Sequence, residues 1–82
     1  MTEQRFHAHL AHRIDPSRNM ARFYHVAIDV DLFGEICLTR SWGRIGTLGR
    51  DRQQVFDDWT AAAEAMDQLV SAKRRRGYRS TA

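Results

Sequence analysis

The stretch from residue 57 to residue 77 reads DDWTAAAEAMDQLVSAKRRRG, and here the periodicity of the chain changes. Its apolar residues recur at the three- and four-residue spacing of an amphipathic helix. They are Trp59, Ala62, Ala63, Met66, Leu69 and Val70. Asp57 or Asp58 can accept hydrogen bonds from the free N–H groups at the helix start, and Gly77 suits the left-handed position after a helix end. The pattern predicts one helix from about Asp58 to Arg76.

Upstream of this helix, apolar and polar residues alternate with the period of two that is typical of β-strands. The segments concerned are residues 5–13, 21–30, 35–42 and 50–56. In the second segment Tyr24, Val26, Ile28 and Val30 form the better core face. We therefore expect an α+β fold, in which an antiparallel sheet of about four strands carries the C-terminal amphipathic helix on one face.

Aromatic residues stand at two junctions of this predicted architecture. Phe33 lies in the turn after the second strand, and Phe56 and Trp59 lie where the last strand meets the helix. We expect both junctions to close the ends of the core.

The length and composition suit one globular domain over residues 1–82, and no membrane partner is expected. The 82 residues are enough for one core, and no stretch approaches the roughly 20 apolar residues of a membrane helix. The first residues do not read as a secretory signal. Cys37 is the single cysteine, so no internal disulfide can form, and a reducing, cytoplasmic location is expected.

The charge is unevenly distributed along the chain. Residues 37–52 carry a net charge of +3 and residues 73–82 carry +5, whereas residues 53–72 carry −4. Nearly all of the cations are arginines, whose planar fork of donors matches phosphate groups. Codon usage in a high-GC genome explains the arginine bias equally well, so the bias alone does not decide the function.

Residues 40–50 read RSWGRIGTLGR and combine an aromatic ring, glycines and arginines at the end of a predicted strand. The indole of Trp42 offers a flat surface for a sugar or base, and stacking of this kind is worth about 1–3 kcal/mol per base. Gly43 permits a phosphate to approach the backbone, and Arg44 can donate charge-assisted hydrogen bonds to it. These residue types together indicate nucleic-acid binding.

The same segment resembles the signature of the WGR domain, because Trp42-Gly43-Arg44-Ile45-Gly46 is followed by Gly49. The flanking segments resemble the family too. They are Arg22-Phe23-Tyr24 at the start of a strand, Leu38-Thr39-Arg40 ahead of the motif, and Val55-Phe56 before the alanine-rich helix. The resemblance spans roughly residues 19–79 and implies an antiparallel sheet with one helix.

The resemblance also implies a role. In the poly(ADP-ribose) polymerases this domain contacts DNA near strand breaks and relays the signal to a catalytic domain. It implies that Trp42 packs on the sugar at the end of a DNA strand. It also implies that Arg44 corresponds to the motif arginine, which in those polymerases makes domain–domain contacts as well. Because neither a partner domain nor an ADP-ribosyl transferase segment is seen in this chain, we expect a non-catalytic, bacterial, single-domain type linked to DNA repair.

Two features depart from the family pattern. The asparagine that often stands two residues before the aromatic pair is replaced by Ala21, with Asn19 displaced. The sequence after Tyr78 is short, so we expect the further strand that follows the helix in the polymerases to be missing.

The predicted nucleic-acid-binding residues come from the motif, its flanking strands and the basic end of the helix. They are Trp42, Gly43, Arg44, Arg40, Arg50, Arg52, Lys73, Arg74, Arg75 and Arg76. DNA is the favoured partner, bound without sequence specificity at ends, nicks or single strands, and no cofactor, metal or small-molecule substrate is expected. The alternative is a module that docks a separately encoded enzyme on the same surface.

Several of these residues also have purely structural explanations. Trp42 can belong to the core, and Arg44 can brace a loop by bonding backbone carbonyls. Cations from Lys73 to Arg76 complement the helix dipole by about 0.3–1 kcal/mol each, although four in succession exceed that need.

Catalytic and metal-site interpretations are weaker. Asp57 and Asp58 are adjacent, so their side chains diverge and suit caps rather than a catalytic pair. His7 and His9 share a strand face but have no further ligand nearby to complete a tetrahedral metal site. Cys37 lies in mid-strand, where burial makes a thiol inert.

Overall fold

The computed structural model describes residues 6–81. The elements are, in chain order, β1 (Phe6–Asp15), a 3-10 turn (Pro16–Arg18), β2 (Met20–Val30), β3 (Ile36–Arg44), β4 (Arg50–Phe56), α1 (Trp59–Arg75) and β5 (Arg79–Ser80). The strands form one antiparallel sheet in the order β4-β3-β2-β1-β5. The predicted α+β fold is therefore confirmed, with five strands rather than about four.

The helix α1 packs on one face of the sheet and forms the core with it. Val26, Ile28 and Leu38 are at most 2% exposed, and Ala62 of the helix is fully buried against them. The predicted core face of β2 is thus confirmed for Tyr24, Val26 and Ile28, whereas Val30 at the end of the strand is 45% exposed and lies outside the core. Helix packing of this kind follows from the 3.6-residue period of the apolar side chains in α1.

Local capping sets both ends of α1 close to the predicted boundaries. The Asp58 carboxylate accepts a hydrogen bond from the Ala61 N–H at 2.7 Å. At the other end the Tyr78 N–H bonds the Lys73 carbonyl and the Gly77 N–H bonds the Arg74 carbonyl, each at 3.0 Å, with Gly77 at φ +94°. These two hydrogen bonds together form a Schellman motif, which turns the chain back towards the sheet.

The chain does form a short strand after the helix, against expectation. Once the Schellman motif has reversed its direction, β5 pairs with β1, opposing Ala11 to Ser80. The Thr81 N–H extends the contact by bonding the Leu10 carbonyl at 3.0 Å. This pairing covers part of the edge of β1 that would otherwise be unpaired.

Phe33 does not close the core, and that prediction is wrong. Its side chain is 87% exposed. The Asp31 carboxylate accepts hydrogen bonds from the backbone N–H groups of Phe33 and Glu35, each at 2.9 Å. The turn is thus stabilised by its own hydrogen bonds, and the side chain of Phe33 points outwards. The second predicted junction is confirmed, since Phe56 and Trp59 are half-buried and pack against the core.

Within residues 6–81, no helix lies over the other face of the sheet. On β1 this uncovered face carries Leu10 and Ile14, which are 38% and 63% exposed. The face of β1 towards α1 carries histidines instead, and the His7 ring lies 5.3 Å from the Trp59 ring. His7 thus packs against the start of α1, while the larger aliphatic side chains of β1 face outwards.

Candidate nucleic-acid interface

Strand register places cations and aromatic rings in three parallel rows on the helix face of the sheet. Cross-strand neighbours in an antiparallel sheet share a face, so each row can be followed from one strand to the next. The outer arginine row consists of Arg13, Arg22 and Arg44. The aromatic row consists of Tyr24 and Trp42, and the inner arginine row consists of Arg40 and Arg52. The aromatic rings therefore lie between two lines of guanidinium groups.

Trp42 is half-buried in the centre of this arrangement. It packs against the core cluster, and the guanidinium carbon of Arg40 lies 5.9 Å from the centroid of its ring. The ring is thus neither a free platform nor an interior side chain. It borders one cleft on each side, so part of the indole is available to a bound molecule.

The inner cleft lies between the C-terminal half of α1 and strands β2, β3 and β4. Its volume is about 300 Å³. It is lined by Tyr24, Arg40, Trp42, Arg52, Leu69, Ala72, Lys73 and Arg76. No carboxylate among the described residues lines it, so its four cations produce an uncompensated positive potential that favours an anionic group.

Lys73 lies in the last turn of α1, and its side chain lines the inner cleft. Its Nζ lies 4.8 Å from the centroid of the Tyr24 ring and 5.1 Å from that of Tyr78, within cation–π range. Burial lowers the pKa of Lys73, and the nearby charges of Arg76, Arg22 and Arg40 lower it further. The protein thus holds several cations closer together than their mutual repulsion favours.

The hydroxyl of Tyr24 is buried at the floor of the inner cleft. Tyr24 is 3% exposed, and its oxygen has no hydrogen-bond partner among residues 6–81. Burial raises the pKa of this phenol, and the adjacent Arg40 guanidinium opposes the rise. An unsatisfied buried hydroxyl costs about 1–3 kcal/mol, and the interaction with the adjacent Arg40 guanidinium offsets part of this cost.

The outer cleft lies on the other side of Trp42 and has a volume of about 380 Å³. It is lined by Arg18, Asn19, Met20, Arg22, Trp42, Gly43 and Arg44. No acidic residue of the described chain lines this cleft either, although Arg18 forms an ion pair with Asp15 at 3.6 Å. A second positively charged surface therefore begins where the inner cleft ends.

Arg44 braces the turn between β1 and β2. Its guanidinium donates to the Asn19 carbonyl at 3.2 Å and to the Asn19 side-chain oxygen at 3.5 Å. Asn19 has a left-handed backbone with φ +51°, so these bonds stabilise an unusual conformation. The side chain is nevertheless exposed, and its fork carries five donors. Bracing leaves donors available to a ligand.

The motif glycines are required by close packing within the protein. A Cβ on Gly49 would collide with the Trp42 carbonyl oxygen and would lie 2.8 Å from Cζ of Phe23. A Cβ on Gly43 would lie 2.8 Å from the Gly49 Cα. The space beside Gly43 is therefore filled by the loop itself, and the residue reaches the outer cleft through its backbone.

The remaining predicted residues lie around this centre. Arg50 pairs with Trp42 across β3 and β4 and is exposed. Arg74 and Arg75 are exposed on the last turn of α1 and line neither cleft. Sequence reasoning missed Arg13, Arg22 and Tyr24. For Arg22 a signal was available, because it directly precedes the aromatic pair of the predicted strand.

Sites of other kinds are not found in the part of the chain that the structure covers. Among residues 6–81, no three His, Cys, Asp or Glu side chains lie close enough together to hold a metal ion. Burial raises the pKa of the Cys37 thiol, and the nearby carboxylates of Asp31 and Asp29 raise it further, which disfavours the thiolate. The helix α1 is too short and too polar to cross a membrane.

Comparison with known proteins gives one curated relative of this chain. It is 51% identical over 67 residues to the uncharacterized protein y4dW of Sinorhizobium fredii. That alignment covers 82% of this chain and 33% of the relative, so the chain spans about a third of the length of the curated relative that it matches. No solved structure matches the chain.

A family model matches far more of the chain than the motif alone. The model of the WGR domain matches residues 7–82, from β1 to the last residue, and thus includes every strand of the sheet and the helix. In poly(ADP-ribose) polymerases this domain is generally a nucleic-acid-binding module. The chain belongs to the WGR domain family.

Proposed function

We propose that this protein is a non-catalytic module that binds DNA at ends, nicks or single strands without sequence specificity. The observation that carries the proposal is the pair of arginine rows on either side of Tyr24 and Trp42, with no carboxylate of the described residues lining the clefts between them. Family membership supports the same conclusion.

The chemistry of these groups is suited to a sugar–phosphate backbone. Guanidinium forks donate paired hydrogen bonds to phosphate oxygens, and an indole edge or face packs against a sugar or base. Both kinds of contact are available at every nucleotide, whatever its base, so little sequence information is read.

The predicted site residues divide by their position on this surface. Trp42 supplies the apolar contact, while Arg40, Arg52, Lys73 and Arg76 supply phosphate contacts in the inner cleft. Gly43 and Arg44 contribute from the outer cleft. We propose that Arg50, Arg74 and Arg75 add longer-range attraction from the exposed rim.

Fluorescence anisotropy with nicked, blunt-ended and single-stranded DNA tests the proposal. Binding should weaken as salt is added, with a log–log slope of about −0.9 per phosphate neutralised on duplex DNA and about −0.7 on single strands. Trp42→Ala should weaken binding to every DNA, and because Trp42 also packs against the core cluster, binding is measured at a temperature where circular dichroism shows the variant to be folded. The proposal fails if none of the three DNAs binds at low salt.

A second candidate function is docking of another protein. The uncovered face of the sheet favours it, because Leu10, Ile14 and Val55 are 38%, 63% and 55% exposed there. Chemical-shift mapping with a short nicked duplex separates the two functions. Shifts centred on residues 40–50 support DNA binding, whereas unchanged spectra with DNA leave docking as the better explanation.

A further inference from the structure

Trp42 is the one side chain among the described residues that lines both clefts. The inner cleft presents Arg40, Arg52, Lys73 and Arg76, and the outer cleft presents Arg18, Arg22 and Arg44. The cations thus continue past the indole in both directions along β3. A nucleotide whose strand ended at Trp42 would leave one of these two sets without a phosphate.

The separation of the two sets can be worked out from β3 itself. Arg40 and Arg44 lie on the same face with Trp42 midway between them. Four residues of strand at about 3.3 Å each separate their Cα atoms by about 13 Å. A stacked strand advances about 3.4 Å per nucleotide, so the two sets lie about four stacked nucleotides apart, or fewer if the strand is extended.

The outer arginine row is also costly in the free protein. Arg22 directly opposes Arg13 on one side and Arg44 on the other. Like charges in such cross-strand positions destabilise a sheet. Within residues 6–81, none of these three guanidinium groups forms an ion pair with a carboxylate. A phosphate in the outer cleft would relieve this repulsion.

We infer that the outer cleft is a second phosphate-binding site, and that one strand of nucleic acid runs across Trp42 from the inner cleft to the outer cleft. The indole then contacts an internal nucleotide, and a free end is not required. This inference rests on the proposed function and narrows its substrate to a strand that continues on both sides of the contact, such as a single-stranded region or a gap.

Competition between a linear single strand and its covalently closed circle tests the inference directly. Both have the same length, sequence and phosphates, so the circle should displace a labelled linear strand with an affinity within about twofold of the linear competitor. A circle that competes more than about tenfold less well, a loss of about 1.4 kcal/mol, overturns the inference and leaves the proposed function intact. If neither competitor binds at low salt, the proposed function itself fails.

Single-charge variants locate the path of the strand. Arg22→Gln in the outer cleft and Arg52→Gln in the inner cleft should each reduce the salt slope on single strands by about 0.7. Arg79→Gln is the matched control, because Arg79 is exposed opposite His12, on the other face of the sheet. The control should leave the slope unchanged.

The inference is wrong if Arg52→Gln lowers the slope while Arg22→Gln leaves it unchanged. Such a result would confine the phosphates to the inner cleft. Circular dichroism of each variant verifies that the sheet and helix are intact. The comparison of circle and linear strand uses the unaltered protein, so it gives a decision even if one variant fails to fold.

Discussion

Reversing the charge of Arg22 should make the free protein more stable while weakening its binding to nucleic acid. Arg22 lies on a central strand between Arg13 and Arg44 and is exposed on the helix face. In Arg22→Glu the carboxylate at position 22 faces a cross-strand arginine on each side, so two like-charge pairs become two pairs of opposite charge. The same substitution places a carboxylate in the outer cleft, where it repels phosphate.

The size of the stabilisation follows from the two pairs involved. Opposite charges directly across a sheet contribute roughly 0.2–1 kcal/mol each, and like charges cost similar amounts. Because Arg22 is exposed, the lower part of that range applies. We expect Arg22→Glu to raise the free energy of unfolding by about 0.5–1.5 kcal/mol at low salt. For a domain of this size, 1 kcal/mol corresponds to a rise of about 4–8 °C in Tm.

Thermal unfolding at low and high salt measures this effect, with Arg22→Gln as the neutral control. Added salt shortens the Debye length from about 30 Å at 0.01 M to about 3 Å at 1 M. Salt should therefore weaken the repulsion between arginines in the unaltered protein and the attraction between opposite charges in Arg22→Glu, so the difference in Tm between the two proteins should shrink. The control should fall between the two. The reasoning is refuted if Arg22→Glu lowers Tm at low salt and the difference is independent of salt.

Four further predictions concern other parts of the molecule. Gly49→Ala should lower the free energy of unfolding in urea by about 2–5 kcal/mol, since its new Cβ meets a backbone oxygen and an aromatic ring at φ +71°. Gly46→Ala, at φ +95° with open space around it, should cost only about 1–2 kcal/mol. Tyr24→Phe should raise the free energy of unfolding by about 1 kcal/mol, because it removes a buried hydroxyl without a partner, and a loss of stability would show that the hydroxyl is satisfied. Folding lowers the pKa of Lys73, so the unfolded chain binds more protons between the folded-state value and 10.5, and stability should rise with pH across that interval. Lys73→Met should flatten this rise in urea titrations at a series of pH values. The thiol of Cys37, which is 2% exposed, should react with a thiol reagent much more slowly than a free cysteine does, and modification of the native protein as fast as of free cysteine would contradict its burial.

The helix and its ends were predictable because the signals that define them are local. Asp58 and Gly77 act within a few residues of their own positions, and the periodic apolar side chains of α1 need only one buried face. The core face of β2 was predictable for the same reason. These features depend on the identity of neighbouring residues rather than on which strands meet.

Features that depend on pairing between distant strands were not predictable to the same extent. The alternation in β1 predicts that the strand has two faces. It does not indicate which face packs against the helix, and the register places His7 on that face and Leu10 on the other. Arg13 and Arg22 are nine residues apart, and only the register of the sheet makes them neighbours. The outer cleft therefore emerged from the structure, whereas Trp42 and its flanking cations could be predicted from the motif.

The free edge of the sheet gives the basic surface a further physical role. Among the strands that the structure describes, none pairs with the outer side of β4, and its residues from Arg50 to Val55 are exposed. Two molecules that approached edge to edge would bring the guanidinium groups of Arg50 and Arg52 in each against those of the other. Such repulsion protects an open strand from adding a neighbour's backbone. The cations suited to a polyanion thus also oppose edge-to-edge association of unliganded molecules at low ionic strength.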